Sequence, residues 1–422
     1  MKVLKKVALC YIMLVFVFFV SIFLVHLIPK SWMQQNVISS MHTIQKEGLY
    51  INLLNFKLFQ LDNFTDAIMH DIAISADHNS PLRASMGNFY YRSDNFLDIA
   101  KDTEKVANGN IEGLKKVSYS RYWQGYLVVL KPLLTIFNYS QIRIIYYLLF
   151  TFLIGRIIFV TFKQNRNKLY LYSLLSVLVL FNVFIIPLSL QFSSVFIIAL
   201  VAINILLTKL DKYSKEVHYL PLFFMIGGCT SFFDFLTAPL VTLGLPLVYL
   251  MESSQQKWKE KLITVFKIGV VWALGYGLIW ASKWLLAGTL TDLDILNDVL
   301  ASSVKRTSNN YKGMEMTIPN IISFIWQQIV NKGVEIFVYV AVLLFILLLF
   351  LYTKLIQSKK IFLDNLYLLL LVFIVPLWYL VLRNHSIQHG WFTWRASIVS
   401  VFALLIFILN TTKLTLNKKQ NG

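Results

Sequence analysis

The sequence predicts an all-α polytopic membrane protein with about ten transmembrane helices and a large first extracytoplasmic loop containing interfacial helices. Three observations lead there. Apolar residues make up 57% of the 422 and charged residues only 14%, against roughly 45–50% and about 25% in soluble globular proteins. Apolar runs long enough to span a bilayer, at about 20 residues each, recur along the chain. The short connections between them alternate between lysine-rich and lysine-poor, the signature of cytoplasmic and outer loops. A soluble enzyme, a secreted disulfide scaffold and a disordered chain are excluded. The net charge of +18 is spread over the lysine-rich turns as a topology signal, so nucleic acid is not an expected partner.

Taken in order, the runs place helices near 7–28, 141–162, 168–187, 191–208, 218–235, 238–251, 262–286, 333–353, 361–382 and 396–411. Pro187 and Pro239 interrupt two of them and force either paired helices or a re-entrant piece. Basic clusters such as Lys2, Lys5 and Lys6, or Lys257, Lys259 and Lys261, follow the pattern that puts both termini in the cytoplasm. The first run is too long for a signal-peptide core of roughly 7–15 residues and lacks a small-residue cleavage site, so it reads as a retained anchor. Cys10 and Cys229 both lie inside helical runs, which leaves no disulfide framework. Three parts result: an anchor at 1–28, an extracytoplasmic loop domain with amphipathic helices at 29–140, and a multi-helix transmembrane domain at 141–422. Outer loops of the last part fall near 287–332 and 383–395.

The basic residues divide into two populations. Of 39, nine are arginines, and seven of these sit on the outer side: Arg83, Arg92, Arg121, Arg143, Arg306, Arg383 and Arg395. A guanidinium offers a planar fork for phosphate or carboxylate, whereas a lysine is a point charge sufficient for topology. Arg143, Arg383 and Arg395 fall at outer helix ends, where snorkelling to lipid phosphate and binding of a phosphate-bearing lipid are competing readings.

Within the first outer segment, Leu61–Asp77 (LDNFTDAIMHDIAISAD) sets Leu61, Phe64, Ile68, Met69 and Ile72 on one helical face. Asp62, Asp66 and His70 follow at i, i+4, i+8 on another, with Asp71 beside them. Such a helix could lie on the membrane with its acids towards a substrate, and the set suits general-base chemistry or a divalent cation. Capping competes with that reading, since Asn63 as N-cap would put Asp66 at N3. No cofactor is specified.

Ser118–Tyr126 (SYSRYWQGY) surrounds Arg121 with Tyr119, Tyr122, Trp123 and Tyr126, and Arg383–Arg395 (RNHSIQHGWFTWR) repeats the chemistry with His389, Trp391 and Trp394. Both suit an interfacial aromatic belt and equally suit stacking on sugar faces. His385 and His389 lack a third ligand nearby, so no metal is assigned. Asp234 is the one acid well inside an apolar run (CTSFFDFLTAP), where a carboxylate is costly and marks a functional candidate. Gly227 and Gly228 before it permit close helix packing or a local break.

Asp62 and Asp66 in the first outer loop, the outward arginines and the short Trp- and Arg-rich final loop together resemble the GT-C superfamily of polytopic membrane glycosyltransferases, which use polyprenyl-phosphate-linked sugars. The resemblance implies that Asp66 or Asp62 deprotonates an acceptor hydroxyl and that Arg143, Arg383 or Arg395 holds the carrier phosphate. Tyr122, Trp123 and Trp391 would stack on sugar, with His70, Arg121, Asp234 and His389 completing the substrate site. The implied partners are the lipid bilayer, a polyprenyl-phosphate-linked sugar and a glycan or lipid acceptor of the cell envelope. A transporter or flippase for lipid-linked saccharide is the rival, although polar residues within the helices are scarce. A non-catalytic membrane assembly protein is a third reading.

Overall fold

The computed structural model describes residues 2–55, 59–75, 80–252, 254–311, 314–315, 317–321, 323, 327 and 359–411. The expected helix at 333–353 lies outside them. The first helix, α1 (Lys2–Val25), leads into α2 (Lys30–Glu47), α3 (Asn63–Ile74), α4 (Pro81–Gly87), α5 (Ile99–Ala107) and α6 (Leu127–Leu134). A two-stranded antiparallel sheet that the helical reading did not foresee joins β1 (Phe89–Arg92) to β2 (Lys115–Ser118), with Phe89 opposite Ser118 and Arg92 opposite Lys115. Its FYYR strand is aromatic-rich, a composition that favours a pleated, half-buried surface.

The remaining helices are α7 (Tyr139–Lys163), α8 (Lys168–Leu180), α9 (Leu190–Thr208), α10 (Leu210–Tyr213), α11 (Glu216–Phe233), α12 (Leu240–Glu252), α13 (Trp258–Leu290) and α14 (Ile295–Thr307). Beyond them come Lys359–Asp364, Tyr367–Val381, Arg383–Gln388 and Ile398–Thr411. The run expected as one helix over 168–187 stops at Leu180 and resumes as a 3-10 turn at Ile186–Leu188, as Pro187 requires. Similarly, 361–382 divides into two helices around Asn365 and Leu366.

Among the described residues, five helices are long and apolar enough to cross a membrane: Lys2–Val25, Tyr139–Lys163, Leu190–Thr208, Trp258–Leu290 and Gly390–Thr411. Lys168–Leu180, Leu240–Glu252 and Tyr367–Val381 are shorter apolar helices. Leu9, Ile12 and Phe16 of α1, Ile144, Leu148 and Phe152 of α7, and Phe266, Leu274 and Leu278 of α13 stand exposed. Apolar surface of that extent is incompatible with water and suits lipid. The chain is an α-helical membrane protein.

Its two ends are chemically different. At one, the described part of residues 26–138 meets the turns around 188–191, 234–239, 291–311 and 383–397, through contacts such as Leu190 N–H to Asp66 and Arg121 to Asp298, and His385 ties two of these turns by bonding the Leu236 carbonyl. The other carries the lysine-rich turns, tied by Lys267 to Glu216 and Lys261 to the Asp364 carbonyl.

One device closes the bundle on itself and a second holds it to the loop domain. Glycines let α11 and α13 touch backbone to backbone: a Cβ on Gly227 would meet the Trp272 carbonyl oxygen at 2.1 Å, and one on Gly275 the Phe224 oxygen at 2.2 Å. The expected close packing at Gly227 is therefore present. Helix α13, at 33 residues, is about 50 Å long and outruns a hydrocarbon core of about 30 Å. Its last turns grip the loop domain. Trp280 and Trp284 donate to the Arg121 carbonyl at 2.6 and 3.0 Å, and Lys283 donates to the Met86 carbonyl at 2.8 Å.

Candidate functional site

The stretch expected to lie on the membrane with upturned acids is largely buried over its described residues 61–75. In α3, Asp62, Asp66, His70 and Asp71 are fully buried. Asp62, not Asn63, is the N-cap, its Oδ1 accepting the Thr65 N–H at 3.0 Å, and this places Asp66 at N4 rather than N3. Asp66 accepts from Tyr139 Oη at 2.5 Å, Leu190 N–H at 2.9 Å, Gln191 N–H at 3.1 Å and Ser189 Oγ at 3.3 Å. It thereby caps the start of α9 from another helix, where the helix dipole favours a negative charge. Burial raises its pKa to about 6 against the opposing pull of these donors. Both Asp66 oxygens are thus engaged, Oδ2 by three donors and Oδ1 by one.

His70 donates through Nδ1 to the Asp66 carbonyl at 2.7 Å, and burial lowers its pKa to about 4. Its neutral Nε2 has no hydrogen-bond partner. Asp71 accepts from Ser75 Oγ, Tyr91 N–H and Thr103 Oγ1, which ties α3 to β1 and α5.

The arginines separate sharply by surroundings. Arg143 donates to both oxygens of Glu47 at 2.7 and 2.9 Å, to Asn63 Oδ1 at 2.8 Å, to Tyr139 Oη at 2.9 Å and to the Leu188 carbonyl at 2.7 Å. Arg121 is bidentate on Asp298 at 2.7 and 2.8 Å. Arg383 bonds Asn309 Oδ1 and the Leu380 carbonyl. Arg395 differs from all three. It is 1% exposed, its guanidinium lies 4.1 Å from the Phe192 ring centroid, and none of its three nitrogens has a hydrogen-bond partner among the described residues. Burying a guanidinium this way costs several kcal/mol.

Asp62 is the acid whose charge acts on Arg395, yet the two are not hydrogen-bonded, and Asp62 Oδ2 is itself buried without a partner among the described residues. Burial, then the charge on Asp66, raises the Asp62 pKa to about 7, while the Thr65 hydrogen bond and Arg395 pull it down. Gln191 Oε1 is likewise unpartnered among the described residues.

Gln191 also opens onto a cavity of about 350 Å³. Its walls include Tyr50, Phe64, Tyr119, Tyr122, Phe235 and Trp391, with Arg306, His385 and His389 as polar groups. Three sequence-predicted residues, Tyr122, His389 and Trp391, converge here. Asp234 shapes the wall indirectly. Its carboxylate accepts the Thr237 N–H at 3.1 Å and so turns the chain to present Phe235. Within that turn Leu236 has φ +68, a left-handed conformation costly for a branched residue, and His385 Nε2 fixes it by bonding the Leu236 carbonyl at 3.0 Å.

Trp123 is packed away from the cavity, its indole donating to the Ile279 carbonyl at 2.7 Å. Tyr50, Gln191 and Arg306 were not singled out in the sequence as site residues. Gln191 had a legible signal in its place just past the Pro187 break, Arg306 only its place among the arginines expected on the outer side, and Tyr50 none beyond residue type. Among the described residues no three His, Cys, Asp or Glu side chains converge as a metal site. The chain matches no family model, no curated protein and no solved structure.

Proposed function

We propose that the protein is a membrane-embedded glycosyltransferase working at the outer face of the cell membrane, with both termini cytoplasmic. It passes a sugar from a polyprenyl-phosphate carrier to a cell-envelope glycan or lipid. The observation that carries this reading is a pair of buried, oppositely charged groups, Arg395 and Asp62 Oδ2, which have no hydrogen-bond partner among the described residues and adjoin an aromatic cavity through Thr65, whose N–H bonds Asp62. A phosphate oxygen satisfies the guanidinium, and the carboxylate is poised near neutral pH as a general base.

In the reaction, Asp62 Oδ2 takes the proton of the acceptor hydroxyl as that oxygen bonds to the anomeric carbon. The bond from that carbon to the carrier phosphate breaks, and the electron pair leaves on a phosphate oxygen that Arg395 stabilises. Tyr122 and Trp391 present ring faces for the sugar.

Cell-envelope glycan analysis of a deletion strain complemented with variants tests the proposal. Wild-type protein restores the missing glycan, and Asp62→Asn or Arg395→Gln, inserted at normal levels, does not. Unchanged glycan in the deletion strain rejects the reading. Accumulation of lipid-linked saccharide on the cytoplasmic side would favour a flippase instead.

A further inference from the structure

The cavity beside the Arg395–Asp62 pair has an electrostatic bias of its own. Among its described lining residues there is one permanent cation, Arg306, and no aspartate or glutamate. Three other arginines at this end have acids: Arg121 has Asp298, Arg143 has Glu47 and Arg83 has Asp292. Among the described residues Arg306 instead donates one bond, to Tyr122 Oη at 2.5 Å, and lies 5.6 Å from the same ring's centroid. That neutral contact fixes the guanidinium at the cavity without neutralising it.

The imidazoles do not compensate. Burial, then the charge of Arg306, lowers the His389 pKa to about 4, so at neutral pH it is an uncharged hydrogen-bonding group. Its ring stacks on Phe392, with centroids 5.1 Å apart, and lies 4.8 Å from His385. Opposite, Trp391 meets Tyr50 edge to face at 5.5 Å. Flat aromatic walls suit sugar faces, and neutral imidazole and amide groups suit hydroxyls. A fixed guanidinium adds a preference for an anion, best met by a carboxylate in its planar fork.

We propose that the saccharide taken by this cavity is acidic, with a carboxylate placed against Arg306. This rests on the reading of the cavity as a saccharide site and names the substrate class.

The test uses the full-length protein in nanodiscs of phosphatidylcholine, with quenching of tryptophan fluorescence as readout. The probes are a tetrasaccharide of alternating glucuronic acid and N-acetylglucosamine, and neutral chitotetraose. The acidic probe should bind about tenfold tighter, the scale of one charge-assisted contact. Arg306→Gln should erase the difference and Arg306→Lys should retain part of it, with thermal melting confirming that both variants fold. Equal binding of the two probes, or a preference that survives Arg306→Gln, overturns the inference and leaves the transferase reading standing. Weaker binding of polyprenyl phosphate in Arg306→Gln, with saccharide binding unmoved, also overturns it by assigning Arg306 to the carrier. If neither saccharide binds and the deletion strain's glycan is unchanged, both readings fall together.

Discussion

Arg143 and Arg395 are both buried near the same end of the bundle, and their surroundings give them opposite consequences. Arg143 joins α2, α3, α7 and the turn before α9 through Glu47, Asn63, Tyr139 and Leu188. Arg395 joins nothing by hydrogen bond among the described residues. Arg143→Gln should therefore lower the melting temperature in detergent, at a cost of about 3 kcal/mol or more. Arg395→Leu should leave it unchanged or raise it, because an uncompensated charge leaves the interior. A matching contrast separates the acids. Asp66→Asn replaces a carboxylate accepting four bonds and should cost about 3 kcal/mol, whereas Asp62→Asn should fold normally. Asp62 has its pKa raised to about 7 and must be deprotonated to act as base. The transfer rate of the wild type should thus rise with pH through about 7, and a rate falling over that interval would contradict the role. The sequence put all four residues on the outer side but could not rank them. Ranking depended on partners distant in the chain, Glu47 for Arg143 and the start of α9 for Asp66, and no local spacing reports those.

At the scale of elements, periodicity in Leu61–Asp77 gave the helix and its apolar face but not the burial of its polar face. α3 is enclosed by α2, α5, α6 and α9, so the acidic stripe became caps and ties rather than an exposed surface. The proline signals were more informative, since Pro187 marked both the end of the α8 run and the approach to α9. Glycine spacing was informative as well. Gly227 faces the Trp272 carbonyl and Gly275 the Phe224 carbonyl, so any side chain must force α11 and α13 apart. Gly227→Val should cost about 3 kcal/mol of stability and disturb the α13 end that holds Arg121 and Met86. Thermal melting of Gly227→Val beside Gly269→Ala, whose Cβ meets open space, isolates the packing effect. Equal melting of the two would argue against the seam.

For the whole molecule, composition and lysine placement were the most legible features. Apolar excess gave an α-helical membrane protein, and the helices near 141–162, 191–208 and 396–411 are present as Tyr139–Lys163, Leu190–Thr208 and Ile398–Thr411. The cavity was less legible because its walls come from separated stretches, around residues 50, 64–68, 96, 119–122, 191, 235 and 306, closed by 385–392. Only their aromatic and basic composition was visible beforehand. The proposed orientation has a direct check in a variant lacking Cys10 and Cys229. A cysteine at Asn108 should react with an impermeant maleimide on intact cells, and one at Ser214 should react only after permeabilisation. The reverse pattern would place the cavity in the cytoplasm.

The central claim is that Arg395 holds a carrier phosphate while Asp62 removes a proton. Its most direct measurement is transfer of radiolabelled sugar from a polyprenyl-phosphate donor by the purified protein, read together with donor affinity. Asp62→Asn should bind donor as the wild type does and lose turnover by about 100-fold or more. Arg395→Gln should lose donor affinity. Full transfer by Arg395→Gln, or wild-type turnover by Asp62→Asn, would contradict the account.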